Sequence, residues 1–188
     1  GERANGVFFT GAEVSDLYLL GQPGEGWRVL NDLLNTEHGE GNVDDGLEDG
    51  SFGEVYLRRL YRVLAHALHH AAQVRGPTGQ QWLDDAAVQA RIGRMIVDRG
   101  GAGAIRGMLG RVHANDVARR VTSELLDLLG TPALLDAGAD CAAANGLLPF
   151  AYFWAQGQAL GGGTVEIVRN LIAQKMLDLP RPYFPPST

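Results

Sequence analysis

Six segments with helical spacing, joined by short glycine- and proline-rich connections, predict an all-α protein. The expected architecture is an antiparallel helical bundle with a short strand remnant at the N-terminus. Three observations carry this expectation. Apolar residues recur at i, i+3, i+4 and i+7 through most of the chain, which makes one buried face per segment. Stop signals close the segments: Gly130 with Pro132, Gly161-Gly162-Gly163, and Leu179-Pro180. The stretch with strand character is Gly6-Val7-Phe8-Phe9-Thr10-Gly11, and no sister strands follow it in the sequence. Such a strand must pair with another chain or continue from a larger protein; the second reading is favoured, with Gly1 as a cleavage scar.

The first helix is expected over Trp27 to His38, after the turn Gln22-Pro23-Gly24-Glu25-Gly26, with Val29, Leu30, Leu33 and Leu34 as its stripe. The acidic, glycine-rich run from Gly39 to Gly50 reads as a loop. Its acids do not fall at the alternate positions that a calcium loop requires. The second helix spans Glu54 to Val74, with Leu60, Val63, Leu64, Ala67, Leu68 and Ala71 on the buried side. His66 and His70 lie one turn apart on the other side, but no third ligand or zinc-protease glutamate accompanies them, so they read as a solvated face and no metal is expected. A third helix starts near Asp84 and points Val88, Ile92, Met95 and Ile96 inward, up to a break at Asp98 to Gly103. That glycine run follows a helix instead of a strand, so it is a connection and not a phosphate loop. A fourth helix covers Ala104 to Leu129 and a fifth Leu147 to Leu160, with Phe150, Tyr152, Phe153 and Trp154. Thr164 is placed to cap the last helix, Val165 to Leu177.

Composition narrows the function classes. The chain has 188 residues, 45% of them hydrophobic, enough for one domain that buries about 70% of its unfolded surface. With 16 basic and 22 acidic side chains the formal charge is -6, which argues against nucleic acid and acidic membrane surfaces as partners. Cys141 is the one cysteine, which excludes an internal disulfide framework and fits a reducing cytoplasm. No apolar run approaches the ~20 residues that span a bilayer, and no signal peptide opens the sequence. A cytoplasmic location is expected.

The C-terminal residues go further. Gly162-Gly163-Thr164-Val165-Glu166-Ile167-Val168-Arg169-Asn170-Leu171-Ile172-Ala173, followed by Leu177-Asp178-Leu179-Pro180-Arg181, resembles the C-terminal signature of acyl-CoA dehydrogenases. Val7 to Val14, Leu19-Leu20-Gly21 and Gly24-Glu25-Gly26-Trp27 look like that family's exit from its middle β domain into its C-terminal helices. The resemblance divides the chain into a β-domain exit remnant, residues 1–23, and a C-terminal helical domain, residues 24–188. The N-terminal helical domain and nearly all of the β domain have no counterpart here.

The resemblance implies FAD as cofactor and an acyl-CoA as substrate, desaturated to the 2,3-enoyl-CoA. In that chemistry a carboxylate takes the α proton from within a dry pocket that raises its pKa. One family position for the base falls here on Gly162, which has no side chain. The other lies on the first helix of the domain and falls on Glu37, the candidate base; the competing reading is an exposed helix-end glutamate. His38 stands where the family commonly has arginine, and the acidic insertion after it departs from the family's continuing helix. Arg75 matches the arginine of the family's RxxFG motif that reaches FAD of a neighbouring subunit, or else it is a cation at a helix C-terminus. Thr164 and Glu166 match polar positions that approach FAD. Thr78, Asp127 and Ala133 depart from the flavin-binding pattern.

The family also implies a dimer or tetramer, homo- or hetero-oligomeric, through these helices, with an electron-transfer flavoprotein as a candidate acceptor. Two rival expectations stand beside the enzyme. One is a degenerate subunit that completes an unlike partner's site, as in family members acting on bulky sterol-side-chain thioesters. The other is a plain helical oligomerisation module.

Overall fold

The computed structural model describes residues 5–37, 52–75, 79–105 and 107–181. Six α-helices lie among them: α1 Gly26–Glu37, α2 Phe52–Ala71, α3 Ala86–Ala102, α4 Gly107–Leu129, α5 Leu147–Gly157 and α6 Val165–Lys175. Short 3-10 turns occur at Asp16–Tyr18, Trp82–Asp84, Thr131–Leu134 and Ala143–Gly146. The expected helical bundle is therefore the architecture. Its centre is α4, which packs against α2, α3, α5 and α6.

The core follows the periodicity. On α2, Leu60, Val63, Leu64, Ala67 and Ala71 are buried, and Tyr56 extends the same face by one turn. All of these but Ala71 meet Ala114, Val117, Val121 and Leu125 of α4 and Leu148, Ala151 and Ala155 of α5 in one cluster. Asp85 caps α3, its carboxylate accepting from the N–H groups of Ala87 and Val88. Ala133, in the 3-10 turn before α5, has no exposed surface, so its small size suits the packing. At the start of α5, Gly146 has φ 72°, and a Cβ there would lie 2.1 Å from the Ala137 nitrogen. Glycine is required at that position both by conformation and by space.

Several expectations need correction. No strand forms at Gly6 to Gly11; Phe8 and Phe9 are 93% and 83% exposed, and the β-bridge described elsewhere joins Arg75 to Gln81. A lone extended segment without a ladder partner leaves its N–H and C=O groups to solvent, so it gains no strand geometry. Helix α3 does not stop at Asp98 but continues through two glycines to Ala102. The buried stripe Val88, Ile92, Met95 reaches Ala102 at the next i+7 step, and burial of that turn overrides the glycines' poor propensity. Ile96 lies off this stripe and is half exposed. The stripe of α1 is helical as expected but not covered: Leu33 is 63% exposed and Trp27 76%. No described helix is long and apolar enough to cross a membrane.

Candidate functional site

The glycine turn before α6 is the most tightly specified irregular segment. Gly162 and Gly163 take φ values of 64° and 91°, a region that glycine enters without a Cβ penalty. The Val165 N–H donates to the Ala159 carbonyl at 3.0 Å and closes the turn. Thr164 then caps α6, its Oγ1 accepting from the Ile167 N–H at 3.3 Å. Glu166 lies in the first turn of α6, exposed, where the helix dipole favours negative charge. Its own backbone N–H, and then the Thr164 side chain, hold its carboxyl below the usual glutamate value, with Arg169 and Arg119 adding attraction.

Beneath the turn lies a residue that the sequence reading did not single out. Arg111 of α4 is buried at 3% exposure. Its Nη1 donates to the Gly162 carbonyl at 2.5 Å, and its Nη2 donates to the carbonyls of Gly163, at 2.6 Å, and Gly161. A guanidinium carries five N–H donors in a planar fork, so one side chain can serve several acceptors at once. All peptide bonds here are trans, and each carbonyl points opposite to the next residue's N–H. The N–H groups of Gly162, Gly163 and Thr164 therefore face away from Arg111, and none of the three donates to an acceptor among the described residues. On the other side, α2 approaches α4 through Gly53, where a Cβ would meet the Gly110 backbone at 3.5 Å and the Arg111 Cα at 3.6 Å. One signal for Arg111 was available: with Met108, Asn115, Ala118 and Thr122 it falls on a single stripe of α4, all buried.

The predicted site residues are brought together only in part. Thr164 and Glu166 share the start of α6. Arg75 follows the end of α2, exposed, and its Nη1 donates to the Gly79 carbonyl at 2.9 Å, which closes its own loop. No hydrogen bond or ion pair joins it to the α6 turn. Glu37 is the last helical residue of α1; its side chain, His38, the acidic loop through Gly50 and Thr78 lie outside the described residues. Asp127 is paired in place: Arg91 donates to Glu124 at 2.5 Å and to Asp127 at 2.6 Å. Glu124 first and Asp127 second raise the Arg91 pKa and keep it charged. His66 and His70 gain no third ligand, and no cluster able to hold a metal occurs among the described residues.

A cleft of about 160 Å³ opens between α2, α4 and α5, lined by Leu60, Val63, Ala118, Phe150 and Trp154, with Arg59 and Arg62 also bordering it. The Arg59 guanidinium lies 4.7 Å from the centre of the Trp154 ring, and Tyr56 meets that ring edge-on at 5.4 Å. Cation–π and edge-to-face contacts of this kind fix the indole in one orientation.

The chain, an all-α bundle that ends in an arginine-held glycine turn and a threonine-capped helix, is similar in sequence to curated acyl-CoA dehydrogenases and in fold to solved ones. The chain is 26% identical over 187 residues to acyl-CoA dehydrogenase IpdE1 of Mycobacterium tuberculosis and 26% identical over 182 residues to acyl-CoA dehydrogenase IpdE1 of Mycolicibacterium smegmatis. Both matches take in 94% of this chain, which spans 44% and 43% of those relatives' lengths. Among solved structures, the ChsE4–ChsE5 complex from Mycobacterium tuberculosis matches 84% of the chain and 41% of the other, with TM-score 0.68 and 20% identity. A variant of the Tcur3481–Tcur3483 steroid acyl-CoA dehydrogenase matches the same shares with TM-score 0.60 and 16% identity. No protein-family model matches. The resemblance read from the C-terminal signature is thus shown by curated relatives and by fold.

The donor set suits FAD as that class would hold it. Three outward amides at the α6 turn and the exposed Arg75 guanidinium offer N–H donors to acceptor-rich groups, and the one misplaced carboxylate, Asp127, is paired with Arg91.

Proposed function

We propose that this chain is the C-terminal helical part of an FAD-dependent acyl-CoA dehydrogenase, acting on an acyl-CoA to give the 2,3-enoyl-CoA. The observation that carries the reading is the Gly161–Glu166 turn. It bears the family signature, it is held by a buried cation on the central helix, and its N–H donors, unpartnered among the described residues, face away from that cation. Bound FAD would accept the hydride from the substrate's β carbon. Arg75, Thr164, Glu166 and the turn amides would hold it. Glu37 would take the α proton, because Gly162, at the family's other base position, offers no carboxylate. The lone Cys141, exposed and unbridged, fits a reducing cytoplasm.

The visible spectrum of the purified chain, taken before and after anaerobic addition of acyl-CoAs, tests this reading. Flavin bands that bleach with substrate support it. Glu37→Gln should then abolish bleaching while the flavin bands persist, since the isosteric amide cannot accept the proton. Undiminished bleaching in Glu37→Gln removes Glu37 from the mechanism.

A second reading is supported by two observations: the exposed apolar stripe of α1 and a solved neighbour that is a complex of two differently named chains. In it, this chain is a non-catalytic subunit that completes the FAD and substrate site of an unlike partner. Co-purification with such a partner, with turnover indifferent to Glu37→Gln, would establish it. A colourless chain that gains no flavin with any partner would leave only the helical oligomerisation module.

A further inference from the structure

We propose that Arg111 is the positioning residue of the α6 turn: its guanidinium draws three successive carbonyls inward and thereby sets which way the amides of Gly162, Gly163 and Thr164 point. The geometry stands independently of the flavin reading; its functional consequence rests on that reading.

The turn has little else to define it. Its three glycines have no side chains to pack, and glycine loses the most conformational freedom on ordering. Besides Arg111, the Gly161 N–H bond to the Gly157 carbonyl, at 3.4 Å, holds its near end, and the Val165 N–H bond to Ala159 and the Thr164 cap hold its far end, which leaves Gly162 and Gly163 between them to Arg111. Arg111, by contrast, projects from the central helix between the neighbouring buried residues Met108, Ala114 and Asn115, so its head is fixed by the core. A rigid donor fork opposite a chain with no preference of its own decides the conformation. Hydrogen bonds from a charged donor are also the strong ones, and burial keeps water from competing for the carbonyls.

The experiment is amide hydrogen exchange on the full chain, comparing Arg111→Met and Arg111→Lys with the parent. The reporters are Val165, Ile167 and Val168, whose N–H groups bond to Ala159, to the Thr164 hydroxyl and to the Thr164 carbonyl. In Arg111→Met these should exchange about tenfold faster or more, while the amides of Leu60 to Ala67 in α2 keep the parent rate. Arg111→Lys should recover part of the difference, since an ammonium keeps the charge but not the planar fork. Unchanged rates at the reporters overturn the proposal, and so does an equal acceleration through every helix, which marks a merely structural residue. If Arg111→Met does not fold, the same local contrast is read from Arg111→Lys against the parent.

A titration with FAD, followed by flavin fluorescence, supplies the functional arm. Weaker binding in the variant with the faster-exchanging α6 cap supports the proposal, and equal affinity overturns the link from the turn to the flavin. A parent chain that binds no FAD counts against the flavin reading and leaves the exchange result to decide Arg111.

Discussion

Asn115→Leu should stabilise the bundle. Asn115 is 1% exposed on α4, facing α5. Its Nδ2 reaches the Ala155 carbonyl at 3.5 Å, and its Oδ1 has no protein partner among the described residues. The first contact is longer than the 2.7–3.2 Å of an ordinary N–H···O bond, so it contributes at most about 0.5 kcal/mol. The unpaired oxygen costs roughly 1–3 kcal/mol of desolvation. Leucine has the same branched four-atom skeleton, but its methyl groups are larger, and overpacking takes back about 1 kcal/mol. The net expectation is a gain of about 0.5 kcal/mol, which for a domain of this size raises Tm by roughly 1–2 °C. Urea titration followed by far-ultraviolet circular dichroism measures it, at an unchanged m value. A loss of about 1 kcal/mol or more refutes the reasoning and identifies Oδ1 as satisfied, most simply by a buried water with further polar neighbours.

Three other outcomes follow from the same geometry. Thr164→Ala removes the oxygen that accepts the Ile167 N–H and should cost about 1 kcal/mol, measured by thermal melting, whereas Thr164→Ser should be near neutral. Gly146→Ala places a Cβ 2.1 Å from the Ala137 nitrogen at a positive φ. It should lower stability by roughly 1–3 kcal/mol in denaturant melts, and a neutral result would show that the Leu135 to Ala142 loop yields freely. Glu166 has its folded pKa below the ordinary 4.5, so its stabilising contribution is present above that value and is lost as pH falls through the folded pKa. The melting temperature of Glu166→Gln should approach that of the parent in acid and fall below it near neutrality; a constant difference across the range would count against the assignment.

Much of the fold was legible because its cause is local. A helix needs only an apolar stripe and closing signals, and both are written in consecutive residues: Leu60 to Ala71 in α2, Val88 to Met95 in α3, and Thr164 ahead of α6. The candidate site was legible where it coincides with such a signal. Thr164 and Glu166 are a cap residue and a first-turn acid, and the structure places both at the start of α6. Arg111 was legible only as a member of the α4 stripe Met108, Asn115, Ala118 and Thr122; that its head reaches the carbonyls of residues 161–163 depends on how α4 packs beneath the α6 turn.

The sequence by itself determined that this is an all-α chain, where most of its helices run, and that its last helix starts behind a glycine turn that resembles the C-terminal signature of acyl-CoA dehydrogenases. Tertiary structure alone decided the rest. Helix α3 runs past its glycines because Ala102 finds the core; the N-terminal segment forms no strand because no second strand among the described residues meets it; Asp127 is paired because α3 brings Arg91 to it. The turn's carbonyls face inward because α4 carries Arg111 beneath them. Each of these depends on groups far apart in the chain, whose free energies exist only once the helices have packed.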